Sequence, residues 1–161
     1  MESSTRTKTT KSVTPRFSEA FPIGRAAELR LQEKLAWQGI ESVLNPCITL
    51  AGLRLWDVAE IYSGIKHEVK DDLKAGTTGN VFIEHRAIIH SRADFLDYEV
   101  IEPYRFLKCP LSVVISLLVA NQRAIKKGWR PPYRQVRGGD DLRYLGTLVP
   151  LKEYSKMCQP I

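Results

Sequence analysis

Trp56 to Asp72 reads WDVAEIYSGIKHEVKDD. Two runs of alternating apolar character, LWDVAEIY (55–62) and IKHEVKD (65–71), flank Ser63-Gly64, and a two-residue connection of that composition predicts a tight β-hairpin. In that register Tyr62 pairs with Ile65, Ala59 faces Glu68 and Asp57 faces Lys70. Side chains alternate across a strand, so Asp57, Glu68 and Lys70 share one sheet face, while Val58, His67 and Val69 take the other. Two carboxylates and an ammonium fixed on rigid strands make a site for a hard cation. Mg²⁺, or Mn²⁺ as its substitute, takes a few oxygen ligands and keeps its other positions for water and phosphate. That chemistry is phosphodiester hydrolysis.

The spacing Asp57, ten residues, Glu68-Val69-Lys70 resembles the PD-(D/E)XK nuclease motif, with Asp57 as the first carboxylate and Glu68-x-Lys70 as the second half. The chain from Lys70 to Asp94 is similar to a subset of such nucleases: Lys70-Asp71-Asp72 as K-x-D, Thr78-Gly79-Asn80 as T-G-N, Phe82-Ile83-Glu84 as F-I-E, then Ser91, Ala93 and Asp94. The likeness covers roughly residues 24 to 150. It is to small resolvase-like or phage-type endonucleases. Those relatives carry a longer S-G-x-x-x-T-x-A-D segment, which here is compressed and lacks the Gly and Thr.

The resemblance implies an α/β fold with a restriction-endonuclease-like core: a mixed central β-sheet flanked by helices, in the order αβββαβ. It implies that Asp57, Glu68 and the Val69 carbonyl hold one or two Mg²⁺, that Lys70 orients the attacking water, and that Asp72 and Glu84 stand behind them. In these nucleases a G-x-x-x-E helix often adds a carboxylate, and Gly24-Arg25-Ala26-Ala27-Glu28 matches it. Helical periodicity also puts Glu28 beside Leu31 and Leu35. The alternative for Glu28 is a helix acid paired with Arg25 or Gln32, and both readings stand. Glu84 likewise either approaches the metal cluster or pairs with Arg86.

At 161 residues and 43% hydrophobic, the chain has the material for one core and little for two. The expected organisation is a flexible basic tail over residues 1–16, rich in Ser, Thr and cations, followed by a single nuclease-like domain over 17–161. The tail is either a non-specific phosphate-binding arm or a solubilising terminus. A formal charge of +6 favours an anionic partner, DNA above all. Three cysteines, Cys47, Cys109 and Cys158, lie far apart with no C-x-x-C pair, which indicates neither a zinc knuckle nor a disulfide framework. The expected setting is a reducing cytoplasm. With no apolar run of membrane length and no signal-peptide core, no membrane partner is expected. The Gly- and Thr-rich segment 74–79 lacks P-loop spacing, and no G-x-G-x-x-G follows a strand, so no nucleotide cofactor is expected. His67, His85 and His90 have no zinc-ligand spacing.

Along the chain, Pro22 to Gly39 predicts a first helix. CITLAGLRL (47–55) predicts the strand before the hairpin, and Asn80 to Glu84 another. Asp94 reads as a helix cap, and Tyr98 to Lys108 as extended chain interrupted at Glu102-Pro103. Pro110 opens a long buried helix ended by Gly128, and RYLGTLVPL precedes a short helix around Glu153. Arg123, Lys126, Lys127, Arg130, Arg134 and Arg137 fall within fifteen residues without an acid, interleaved with Trp129 and Tyr133. Arginine forks match phosphate and aromatic faces stack on bases, so this loop is expected to contact nucleic acid; the plainer reading is a solvated helix end. The expected function is a Mg²⁺-dependent DNA endonuclease, acting as a homodimer if it resolves branched recombination or repair intermediates by paired cuts. Its rivals are a silent DNA-binding module of the same fold and a protein–protein adaptor.

Overall fold

The chain is described by a computed structural model over residues 17–46, 54–72, 74–101, 104–138 and 144–161. Its elements in order are α1 (Phe17–Trp37), β1 (Ser42–Leu44), β2 (Val58–Glu60), β3 (Lys66–Asp71), α2 (Ala75–Thr78), β4 (Asn80–Glu84), α3 (His85–His90), β5 (Phe95–Ile101), β6 (Tyr104–Pro110), α4 (Leu111–Lys126), β7 (Arg134–Gly138), β8 (Tyr144–Pro150), α5 (Leu151–Met157) and β9 (Gln159–Pro160). The architecture is α/β, a mixed sheet flanked by helices.

The 56–72 stretch does fold back on itself, but in a register two residues away from the expected one. Val58 stands opposite His67 and Ala59 opposite Lys66, so the connection spans Ile61 to Ile65. Polar groups shape this longer turn: the Ser63 hydroxyl donates to Glu60 Oε2 at 2.5 Å, and Gly64 takes a left-handed φ of 71° that a side chain would resist. Because the shift is even, it leaves every side chain on its expected face. Glu68 and Lys70 keep one face of β3, while Asp57 lies just before β2, beyond the paired residues, and comes close enough for both to act on its charge.

The larger sheet has the order β1-β2-β3-β5-β6-β9, with β3 and β5 parallel and the other neighbours antiparallel. The crossover from β3 to β5 carries α2, β4 and α3. β4 pairs not with this sheet but with β8, in a second sheet of order β4-β8-β7. On one face of the large sheet α1 buries Ala27, Leu31 and Leu35 against Val58, Val69 and Phe106. The opposite face, with Leu96, Tyr98, Val100, Leu107 and Cys109, packs on Val81, Ile83, Ile88, Val114, Val149 and Tyr154 from the second sheet and α3 to α5. Among the described residues no helix is long and apolar enough to cross a membrane.

Several expectations need correction. α1 starts at Phe17, so Pro22 lies inside it, where proline removes a ladder hydrogen bond. Of the strand expected at 47–55, residues 47–53 lie outside the described residues, as does the tail 1–16; the strand that precedes β2 is β1. Segment 74–79 is not an open loop: α2 occupies 75–78, closed by Gly79 at φ 68°. Asp94 caps no helix. Its carboxylate accepts the Lys66 N–H at 2.8 Å and its carbonyl the Leu111 N–H at 2.9 Å, which fastens β3 to the start of α4. The end of the basic loop, Arg134–Gly138, is a strand.

The second sheet has one tight fit. The Phe82 ring lies across Gly146 and Gly138, where an added Cβ at Gly146 would overlap the ring and come within 3.0 Å of the Ile83 carbonyl oxygen. Overpacking a rigid site of this kind costs about 2 kcal/mol. Gly146→Ala is therefore expected to lose roughly that much stability in urea unfolding, and Phe82→Leu in the same background to recover part of it.

Candidate active site

β2 leaves β3 just before Val58, and that divergence makes the site. The Asp57 N–H still bonds the His67 carbonyl at 2.8 Å, but the next N–H of β3 on that edge, from Val69, is taken by the Asp57 side chain: Oδ2 accepts it at 2.8 Å. The N–H and C=O of one strand residue point to the same edge, so the Val69 carbonyl is also directed to the side on which Asp57 sits.

Glu68 is equally held. Its Oε1 lies 2.8 Å from Lys70 Nζ, and its Oε2 accepts from the Ser91 hydroxyl at 3.2 Å. Asp57 and Glu68 are 6% and 7% exposed, too buried for water to screen one carboxylate from the other. Burial first, then Glu68, pushes the Asp57 carboxyl up to about 6, against the opposing pull of Lys70, the Val69 N–H and Arg54. Burial pulls the Lys70 amine down, but Glu68 and Asp57, with Glu84 adding to them, outweigh it and hold the ammonium above the ordinary lysine value.

The second cation is Arg54. Its guanidinium bridges Glu28 and Asp57, with Nη1 at 2.9 Å and Nη2 in contact with the two Glu28 oxygens and Nη2 3.3 Å from Asp57 Oδ1. Its hydrogen bond to Glu28 raises its pKa further. Glu28 is 2% exposed and also accepts from Arg25 at 2.7 Å. Glu28 thus faces inward and pairs with Arg25 at once; both sequence readings describe part of it, and it reaches Asp57 through an arginine.

Asp72 is held by the Tyr98 hydroxyl and the Lys74 N–H: its Oδ2 accepts from the former at 2.7 Å and its Oδ1 from the latter at 2.9 Å. The same Tyr98 hydroxyl accepts the Phe82 N–H at 3.0 Å. Its role is to tie the two sheets together. Glu84, at the end of β4, acts on the Lys70 charge. Among the described residues no three His, Cys, Asp or Glu side chains form a group that could hold a metal ion; the pair Asp57–Glu68 and the Val69 carbonyl are what is offered. Mg²⁺ is commonly held by one or two carboxylates with water in its other positions, so the donor set fits.

In the basic segment Arg123, Lys126, Lys127, Arg130, Arg134 and Arg137 are all exposed. Trp129 is 62% exposed with Lys127 Nζ 4.4 Å from its ring centre, whereas Tyr133 packs on the core and bonds Glu153. The aromatic face open to a base is that of Trp129. By register, Arg134 shares a sheet face with Phe82 and Glu84, and Arg137 takes the other with Ile83 and Thr147. On the α1 side of the large sheet, His67 lies between Asp97 at 2.6 Å and Glu60 at 3.2 Å, and Arg30 grips Glu99 at 2.6 and 2.7 Å. None of these contacts involves Asp57, Glu68 or Lys70. Arg54 and the Ser91 contact escaped sequence reasoning, since extended or irregular chain has no period that places residue 54 or 91 beside 57 or 68.

No protein-family model matches this chain, and no curated protein matches it.

The raised Asp57 pKa has a consequence for stability. The native chain binds this proton more tightly than the unfolded one, so the contribution is full below about pH 4 and is lost as pH rises through about 6. Asp57→Asn removes the charge, so relative to the wild type it is expected to gain about 2 kcal/mol between about pH 4 and pH 8 in urea unfolding. A difference independent of pH contradicts the assignment.

Proposed function

We propose that this chain is a divalent-metal-dependent DNA endonuclease of the PD-(D/E)XK kind, hydrolysing phosphodiester bonds on a restriction-endonuclease-like core. The observation that carries the reading is the proximity of Asp57, Glu68 and Lys70 where β2 diverges from β3. A helix, three antiparallel strands and a crossover to a strand parallel with β3 support the same core.

Asp57 and Glu68, with the Val69 carbonyl, are the groups to hold Mg²⁺ or Mn²⁺, which when bound polarises a phosphoryl oxygen and acidifies the attacking water. Lys70, fixed by Glu68, orients that water and offsets charge developing on the phosphate. Ser91 keeps Glu68 from turning away. Glu84 adds negative charge beside Lys70, and Asp72 holds the Tyr98 hydroxyl. The exposed cations from Arg123 to Arg137, with Trp129, supply the phosphate and base contacts that bring DNA to the site. Among the described residues one copy carries one such cluster, so paired cuts in a branched recombination or repair intermediate call for a homodimer. The cytoplasm is the compartment the proposal assumes.

One observation favours a second reading, a DNA-binding module without catalysis: Arg54 already supplies a cation between Glu28 and Asp57. The two readings part in a cleavage assay on linear, single-stranded, flapped and four-way DNA, with Mg²⁺ and with chelator. The nuclease reading expects Mg²⁺-dependent cutting that falls roughly a hundredfold or more in Asp57→Ala and Lys70→Ala. Equal cutting by both variants rejects the site, and DNA binding without cutting under any divalent metal selects the module.

A further inference from the structure

The register of the last strand brings two cysteines face to face. Leu107 pairs with Pro160 and Lys108 with Gln159, so the next opposed positions are Cys109 and Cys158. The two kinds of antiparallel pair alternate, and the Ile161 N–H reaches the Phe106 carbonyl at 3.4 Å, which makes 106/161 and 108/159 the hydrogen-bonded pairs. Pro160, with no N–H to offer, falls in a non-hydrogen-bonded pair, as the rule for proline requires. Cys109 and Cys158 therefore also oppose each other in a non-hydrogen-bonded pair. There Cα atoms stand about 4.5 Å apart with side chains at their closest, inside the span of about 4.4–6.8 Å that a disulfide bridges.

We propose that Cys109 and Cys158 form a reversible dithiol–disulfide pair, closed by a small-molecule disulfide of the oxidised-glutathione class, which staples the C-terminal strand to the large sheet. The inference is independent of the nuclease reading.

Both thiols are free in this structure, Cys109 buried and Cys158 partly exposed. Each donates to a carbonyl of the α5 end, Cys158 to Tyr154 at 3.0 Å and Cys109 to Met157 at 3.6 Å. The two thiols also sense each other: the neighbouring Cys158 lowers the Cys109 pKa, while Cys109 and burial raise that of Cys158. Exposure makes Cys158 the entry point. Its thiolate attacks one sulfur of the glutathione disulfide, forming a mixed disulfide and releasing one glutathione, which takes up the Cys158 proton. Cys109, opposite it, loses its proton and attacks the Cys158 sulfur, displacing the second glutathione, which takes up the Cys109 proton. Two thiols are oxidised and one external disulfide is reduced to two thiols.

The staple matters because β9 is only two residues long and carries Ile161 onto the core beneath α1, beside Phe106. Two ladder pairs hold that contact in the reduced chain. A covalent link between residues distant in sequence removes much of the unfolded chain's freedom.

The test uses the full chain, reduced and then equilibrated with oxidised glutathione, read by intact mass, non-reducing peptide mapping and thermal unfolding. The expected product has lost two hydrogens, retains no glutathione, maps to Cys109–Cys158, and melts about 10 °C higher than the reduced chain. Cys47→Ser is expected to keep that shift and Cys158→Ala to abolish it. Glutathione retained on Cys158, a bridge to Cys47, or thiols that stay reduced while the chain remains folded would each overturn the proposal.

Discussion

Two carboxylates buried side by side, Asp57 and Glu68, are the constraint around which the central part of this molecule is arranged. Each is drawn to a different cation: Glu68 to Lys70 and to the Ser91 hydroxyl, Asp57 to Arg54 and to the Val69 N–H. Without those partners two negative charges with little access to water would not coexist at neutral pH. The partners do not fully offset the cost, since Asp57 remains pushed up to about 6. A region that holds an acid up to about 6 favours any additional positive charge, a property that would suit it to a divalent cation.

The surrounding fold holds this arrangement from two sides. On one, α1 packs its apolar stripe on Val58 and Val69, the strand neighbours of the two acids, and sends Glu28 to the far end of Arg54. On the other, the Tyr98 hydroxyl joins Asp72 to the Phe82 backbone, which keeps the second sheet, and Glu84 with it, beside Lys70. β3 is thus fixed on both faces, and small changes in either layer bear on the distance between Asp57 and Glu68.

Sequence showed the face but not the register. Because strands alternate with period two, an even slip leaves Glu68 and Lys70 on their expected face; Asp57, past the last paired residue of β2, meets β3 instead through its side chain at the Val69 N–H. The turn length itself depended on the Ser63–Glu60 hydrogen bond, which composition does not reveal. The long helix after Pro110 and the strand at Asn80 were legible from their punctuation, but the helix is not buried as expected: it covers the core with Leu111, Val114 and Ala124 and leaves Val113, Ile115 and Val119 exposed. The pairing of β4 with β8 was not legible, because nothing local in NVFIE states which sheet it joins. Arg54 was missed for the same reason: its partners Glu28 and Asp57 belong to different elements, and only the packed chain brings all three together.

Titration of the Asp57 carboxyl, followed by carbon-detected NMR with and without saturating Mg²⁺, tests the metal site most directly. Without the ion the midpoint is expected at about 6; with it the midpoint falls by about one unit or more, because a divalent cation held by Asp57 and Glu68 favours the ionised form. A midpoint that Mg²⁺ leaves unchanged would contradict the claim that these two acids form a metal site.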